Sequence, residues 1–167
     1  AIGIVRGIYT PNDLDQLNRG ILKDKEGKII ETVILGKALS LIKKYINLEK
    51  NYFWIVYPRN KNIQNLHLQV AGIWDPHQLN QVDENNFEKD PNELLEELNL
   101  KNNYFSIRGE LVYVNEQKKE VVIKICSSPS SKRLKNTTFK IIIQGEISLE
   151  LLNNFVSLDV IRYGKTL

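Results

Sequence analysis

Two neighbouring segments, Tyr52-Phe-Trp-Ile-Val-Tyr-Pro-Arg59 and Leu66-His-Leu-Gln-Val-Ala-Gly-Ile-Trp74, hold both tryptophans of the chain and one of its few arginines. If the first is a strand, Phe53, Ile55, Tyr57 and Arg59 share one face, and Tyr52, Trp54, Val56 and Pro58 share the other. A guanidinium beside an aromatic ring suits single-stranded nucleic acid, because the ring stacks on a base while the charge meets a phosphate. Arg6, Arg19 and Lys61 can join Trp54, Tyr57 and Arg59 in such a platform. The same aromatics equally suit the core of a small barrel, and alternation alone does not say which face turns inward. A second basic group, Lys132-Arg133-Leu134-Lys135, follows a Ser-Ser-Pro-Ser-Ser run and can contact phosphates without sequence preference.

Catalytic patterns are absent. No glycine-rich phosphate loop, paired histidine motif or nucleophile elbow occurs. His67 alternates with Leu66 and Leu68, and His77 follows Asp75-Pro76 in a turn, so neither has a partner in sequence. One cysteine and two histidines cannot build a zinc site, and Cys126, at the end of an apolar strand, reads as a buried, inert thiol. No catalytic residue, metal or cofactor is expected.

The elements that must position these residues are strands. Ile2 to Thr10 reads as a strand, and Ile21 to Ile30 as a hairpin turning at Asp24 to Gly27. Gly36 to Tyr45 reads as a helix, with Leu35, Leu39, Ile42 and Ile46 as its apolar stripe. The two aromatic segments complete the order strand, strand, strand, helix, strand, strand, which is that of a five-stranded OB barrel. Residues 77–103 form a polar connector containing a short acidic helix from Asp90 to Leu98, with Pro91 at its first position and Val82 to Lys89 as a loop before it.

The strand style then returns. Tyr104 to Asn115 and Glu120 to Cys126 read as a hairpin, followed by strands Phe139 to Ile147 and Phe155 to Tyr163, with at most one helical turn at Leu149 to Leu152. Two echoes link the halves: Val5-Arg6-Gly7 with Ile107-Arg108-Gly109, and Leu68 to Ile73 with Ile141 to Ile147. The fold class is therefore β-rich α+β, with two small OB-like barrels in tandem (1–76 and 104–167) joined by the 77–103 connector.

Composition agrees with a soluble globular chain, at 42% hydrophobic and 26% charged residues. Its length allows one domain or two of under about 100 residues. Basic residues outnumber acidic ones in 1–76 and 104–167, and the reverse holds in 77–103, giving a net charge of +3. No apolar run approaches the ~20 residues of a membrane span, and the start of the chain lacks signal-peptide features. It does not begin with Met, which suggests processing or trimming. A lone cysteine suggests a reducing, cytoplasmic compartment.

The phrases Gly3-Ile-Val-Arg-Gly-Ile-Tyr9, Phe53-Trp-Ile-Val-Tyr-Pro-Arg59 and Val70-Ala-Gly-Ile-Trp-Asp-Pro76 resemble those of uncharacterised, conserved cyanobacterial proteins. Heavy use of Asn, Lys and Ile is similar to that in AT-rich marine cyanobacterial genomes. The resemblance covers mainly residues 1–76, carries no catalytic signature, and implies a photosynthetic-bacterial, cytoplasmic setting. The residues together point to a non-enzymatic binder of single-stranded RNA or DNA. The alternative is an assembly module whose aromatic strand and leucine face meet another protein or a second copy.

Overall fold

The computed structural model describes residues 1–60, 62, 65–74, 101–127 and 137–167. The expected acidic helix, the loop before it and the basic loop around Lys132 lie outside the described residues.

Strand β1 (Ile2–Pro11) alternates, with Val5 and Tyr9 fully inward. Strands β2 (Arg19–Lys23) and β3 (Ile29–Ile34) form the expected hairpin. Its turn is held by Asp24, whose Oδ1 accepts the backbone N–H groups of Glu26 and Lys28 at 3.1 and 2.9 Å, with Gly27 at a φ of 79°. Helix α1 (Gly36–Tyr45) separates β3 from β4 (Tyr52–Asn60), and β5 (Leu66–Trp74) follows. β1 pairs with β2 and β4, β2 with β3, β3 in parallel with β5, and β5 with β4. The ring closes, so the first region is a five-stranded OB-type barrel with its helix where the element order put it. The helix contributes Ala38 and Ile42 to the core, with Leu39 and Ile46 half-buried, whereas Leu35 is exposed at the N-cap. The stripe thus centres on Ala38, whose small side chain lets the helix lie close to the barrel.

The second region has β6 (Tyr104–Asn115), β7 (Glu120–Ser127), β8 (Thr137–Gln144) and β9 (Phe155–Ile161), in the hydrogen-bonded order β9-β6-β7-β8. A 3-10 turn at Leu149–Leu151 precedes β9. Cys126 is exposed, contrary to the expected buried thiol. The inward residues of β7 are Val121, Ile123 and Ile125, and one further step of the alternation turns Cys126 outward.

The regions share structure. One edge of β1 carries β4 along Gly3–Gly7, while the opposite edge carries β6 at Ile2–Ile4 and β2 at Ile8–Pro11. Gly3 makes this junction possible: a Cβ there would lie 2.2 Å from the buried Phe105 ring. Arg162, 4% exposed, reaches across to Asp24 and is further held by Asn103 Oδ1 and the Gly164 carbonyl. The Asn60 side chain, at the end of β4, donates to the Ile142 carbonyl (2.7 Å) and accepts its N–H (3.0 Å), so it stands in for a strand on the edge of β8. One hydrophobic cluster runs through both regions.

The first sequence echo is structural. A Cβ at Gly7 would lie 2.5 Å from the Lys23 carbonyl oxygen, and one at Gly109 would lie 2.4 Å from that of Lys124. Each glycine lets the first strand of its region cross close over the second. The second echo is not structural, because Leu68 to Ile73 belongs to a fifth strand and Ile141 to Gln144 to a third.

Candidate functional site

The pairing of β4 with β1 assigns its faces. Val5 lies opposite Trp54 and Gly3 opposite Val56, so Trp54, Val56 and Pro58 point into the barrel. Trp54 is 1% exposed, its Nε1–H donates to the Gly7 carbonyl at 2.9 Å, and its ring packs against Tyr9 and Tyr52. Its ring and polar group are both occupied, which corrects the expectation of Trp54 as a base-stacking residue. The outward face holds Phe53, Ile55, Tyr57 and Arg59. Phe53 is nonetheless buried, under the Arg6 guanidinium at 5.3 Å and beside the Trp74 ring at 5.4 Å.

At the other end of β4, Arg59 lies 3.8 Å above the Phe139 ring of β8 and donates through Nη1 to the Pro58 carbonyl. Burial pulls the Arg59 pKa below its ordinary value, but the group stays charged at neutral pH. Next to Arg59, a shallow cavity of about 390 Å³ opens between the regions, lined by Asn60, Val112, Tyr113, Val122, Lys140 and Ile142. Tyr113 is 45% exposed there and accepts from Asn115 Nδ2 at 3.1 Å, while Lys140 is exposed. An unstacked base fits such a setting, with a phenol ring to stack on and the Lys140 ammonium at the rim.

The expected site residues therefore do not all meet. Tyr57 and Arg59 share the outward face at that end of β4, where Arg59 reaches the Phe139 ring, and the cavity beside them is lined by Asn60 instead. Arg6 lies beside Phe53, six residues back along β4, which at strand rise is about 20 Å away. Arg19 is on β2, which pairs with β1 along Ile8–Pro11, beyond the Gly3–Gly7 stretch of β1 that carries β4. Lys61, Lys132, Arg133 and Lys135 lie outside the described residues.

The groove residues missing from the sequence reading are Asn60, Tyr113 and Lys140. Tyr113 escapes for a physical reason. Simple alternation sets it on the inward face with Leu111, but the register of β6 on β7 shifts between Leu111 and Tyr113. The extra residue, Val112, turns Tyr113 to the outer face opposite Val122. No residue type at this position announces the bulge. Lys124, nearby, is bound to Glu110 at 2.9 Å.

Among the described residues no cluster of three metal-ligating side chains occurs, and no helix is long and apolar enough to cross a membrane. Residues 1–81 match the family model described as "PatR RNA-binding protein, N-terminal OB-fold domain". Residues 107–167 match a second, "Cyanobacterial OB-fold-like RNA-binding domain, C-terminal". No curated protein and no solved structure matches the chain.

Proposed function

Because the chain belongs to this cyanobacterial family of OB-fold RNA-binding proteins, we propose that it is a non-enzymatic binder that threads single-stranded RNA across the groove between its barrels. Nucleic-acid binding through OB-like domains is the family's property; the strand state and the residues are our reading. The observation that carries it is the meeting of Asn60 from one barrel with Tyr113 and Lys140 from the other at a single cavity, with Arg59 of β4 reaching Phe139 of β8 beside it. In this reading Tyr57 and Tyr113 stack on successive bases, while Arg59, Lys140 and the exposed Arg108 neutralise phosphates. Asn60, already spent on Ile142, holds the groove in shape rather than reading a base. Single strands are favoured because a shallow cavity with half-exposed rings accepts a splayed base, which a duplex keeps inside its stack.

Fluorescence anisotropy with labelled single-stranded and duplex RNA of one sequence tests this. Binding should favour the single strand, weaken steeply as salt rises, and fall with Tyr113→Ala or Arg59→Ala. Retention that ignores salt, equal affinity for the duplex, or unchanged affinity in both variants overturns the reading.

A further inference from the structure

Among the described residues, no strand pairs with the outer edge of β9 in the second barrel. The Arg162 N–H donates to the Asn103 carbonyl and the Leu111 N–H to the Asn154 carbonyl, both at 2.9 Å. In the antiparallel alternation these bonds set, Val156, Leu158 and Val160 turn their backbone groups to β6, whereas Phe155, Ser157, Asp159 and Ile161 turn theirs to the open edge. No described strand pairs there, and the bridge from Tyr163 to Thr166 ends the edge. Soluble proteins usually guard such an edge with lysine, proline or a bulge. β9 has no such guard, and Phe155 and Ile161 at its ends are 74% and 58% exposed.

We propose that this edge pairs with β9 of a second copy of the chain, antiparallel about a two-fold axis at Leu158. The strand Phe155-Val-Ser-Leu-Asp-Val-Ile161 is complementary to itself in that register. Phe155 meets Ile161 of the second copy, Ser157 meets its Asp159, and Leu158 meets its own counterpart. Every open-edge residue then exchanges backbone hydrogen bonds. Shifting two residues one way opposes the two Asp159 side chains, and the other way sets Phe155 against Asp159. Charge supports the same register. Arg108, exposed on β6, lies opposite Ser157, so Arg108, Ser157 and Asp159 of the second copy share one row on one face. A self-complementary strand favours a second copy over an unrelated peptide, which would need only the bare backbone.

Sedimentation of the full chain without RNA, from micromolar to near-millimolar concentration, reads this independently of nucleic-acid binding. The wild type should dimerise with concentration. Ser157→Asp, at an exposed position, opposes carboxylates at both symmetric pairs and should weaken association by roughly 30-fold. Adding Asp159→Lys restores opposite charges and should recover the dimer, with circular dichroism reporting the fold throughout. If Ser157→Asp misfolds, Phe155→Lys replaces it as the disrupting variant. A wild type that stays monomeric, a disrupting variant that associates as tightly as wild type, or a double variant no tighter than Ser157→Asp overturns the proposal.

Discussion

In the first barrel β5 lies between β3 and β4, pairing in parallel with the one and antiparallel with the other. The second barrel has the same opening, with a first strand crossing closely over a second at a glycine, but at the matching place the described residues supply only Thr166 and Leu167. Thr166 bridges to Tyr163 beyond β9, and the Leu167 carbonyl accepts the Gln144 N–H of β8 at 2.8 Å. The second barrel makes up the rest from its neighbour: Asn60 covers part of the β8 edge, and Asp24 anchors Arg162. A closed ring satisfies its own backbone, while an incomplete one draws on side chains from outside. The first barrel therefore supports the second, and the groove we assign to RNA lies along that support.

The strongest way to break the comparison is from inside the first barrel. Trp54→Ala should cost roughly 3–5 kcal/mol in urea unfolding, and the second barrel should be lost in the same transition. Two separate transitions in this variant would show that the second barrel stands alone. Arg162→Ala strands Asp24 in a site where its side chain is 2% exposed, so a loss of about 3 kcal/mol follows, with the transition splitting as the regions uncouple. Asn60→Ala removes two bonds to Ile142 and should lower stability by about 1–3 kcal/mol, with hydrogen exchange rising first in β8.

Smaller effects sharpen the account of the groove. Tyr57→Ala and Tyr113→Ala, one from each barrel, should each weaken single-stranded RNA binding by about tenfold, while Arg6→Ala, far along β4, should change it much less. The smallest effect concerns pH. Burial pushes the Tyr9 phenol from 10.0 up to about 12, so the unfolded chain ionises first. Stability from this group is complete below pH 10, falls as pH rises towards 12, and that fall is reduced in Tyr9→Phe.

Most of the first barrel was legible, because its signals are local. The helix Gly36–Tyr45 and the strand Leu66–Trp74, like Tyr104–Asn115 in the second region, follow from periodicity and from the turn residues beside them. The candidate site was legible only in part. Tyr57 and Arg59 stood out by type, but the burial of Trp54 depends on its register against Val5, and the exposure of Tyr113 depends on one bulged residue. Neither Asn60 nor Lys140 belongs to a motif, and they become neighbours only because β8 curls back to the end of β4.

By itself, then, the sequence determined which segments are strands, where the helix falls, and the repeated glycine crossing that opens each barrel. Alternation, propensity and turn chemistry act between residues close in the chain, so they can be read from it. Only the tertiary structure decided that the two tryptophan-bearing strands turn Trp54 inward, that the second barrel leans on the first, and that an aromatic and cationic groove lies between them. Those outcomes rest on register and on contacts between distant residues, where a one-residue shift reverses every face of a strand. The segment Tyr52 to Arg59 holds both cases: its chemistry was plain from the start, and the side that meets solvent was set by β1.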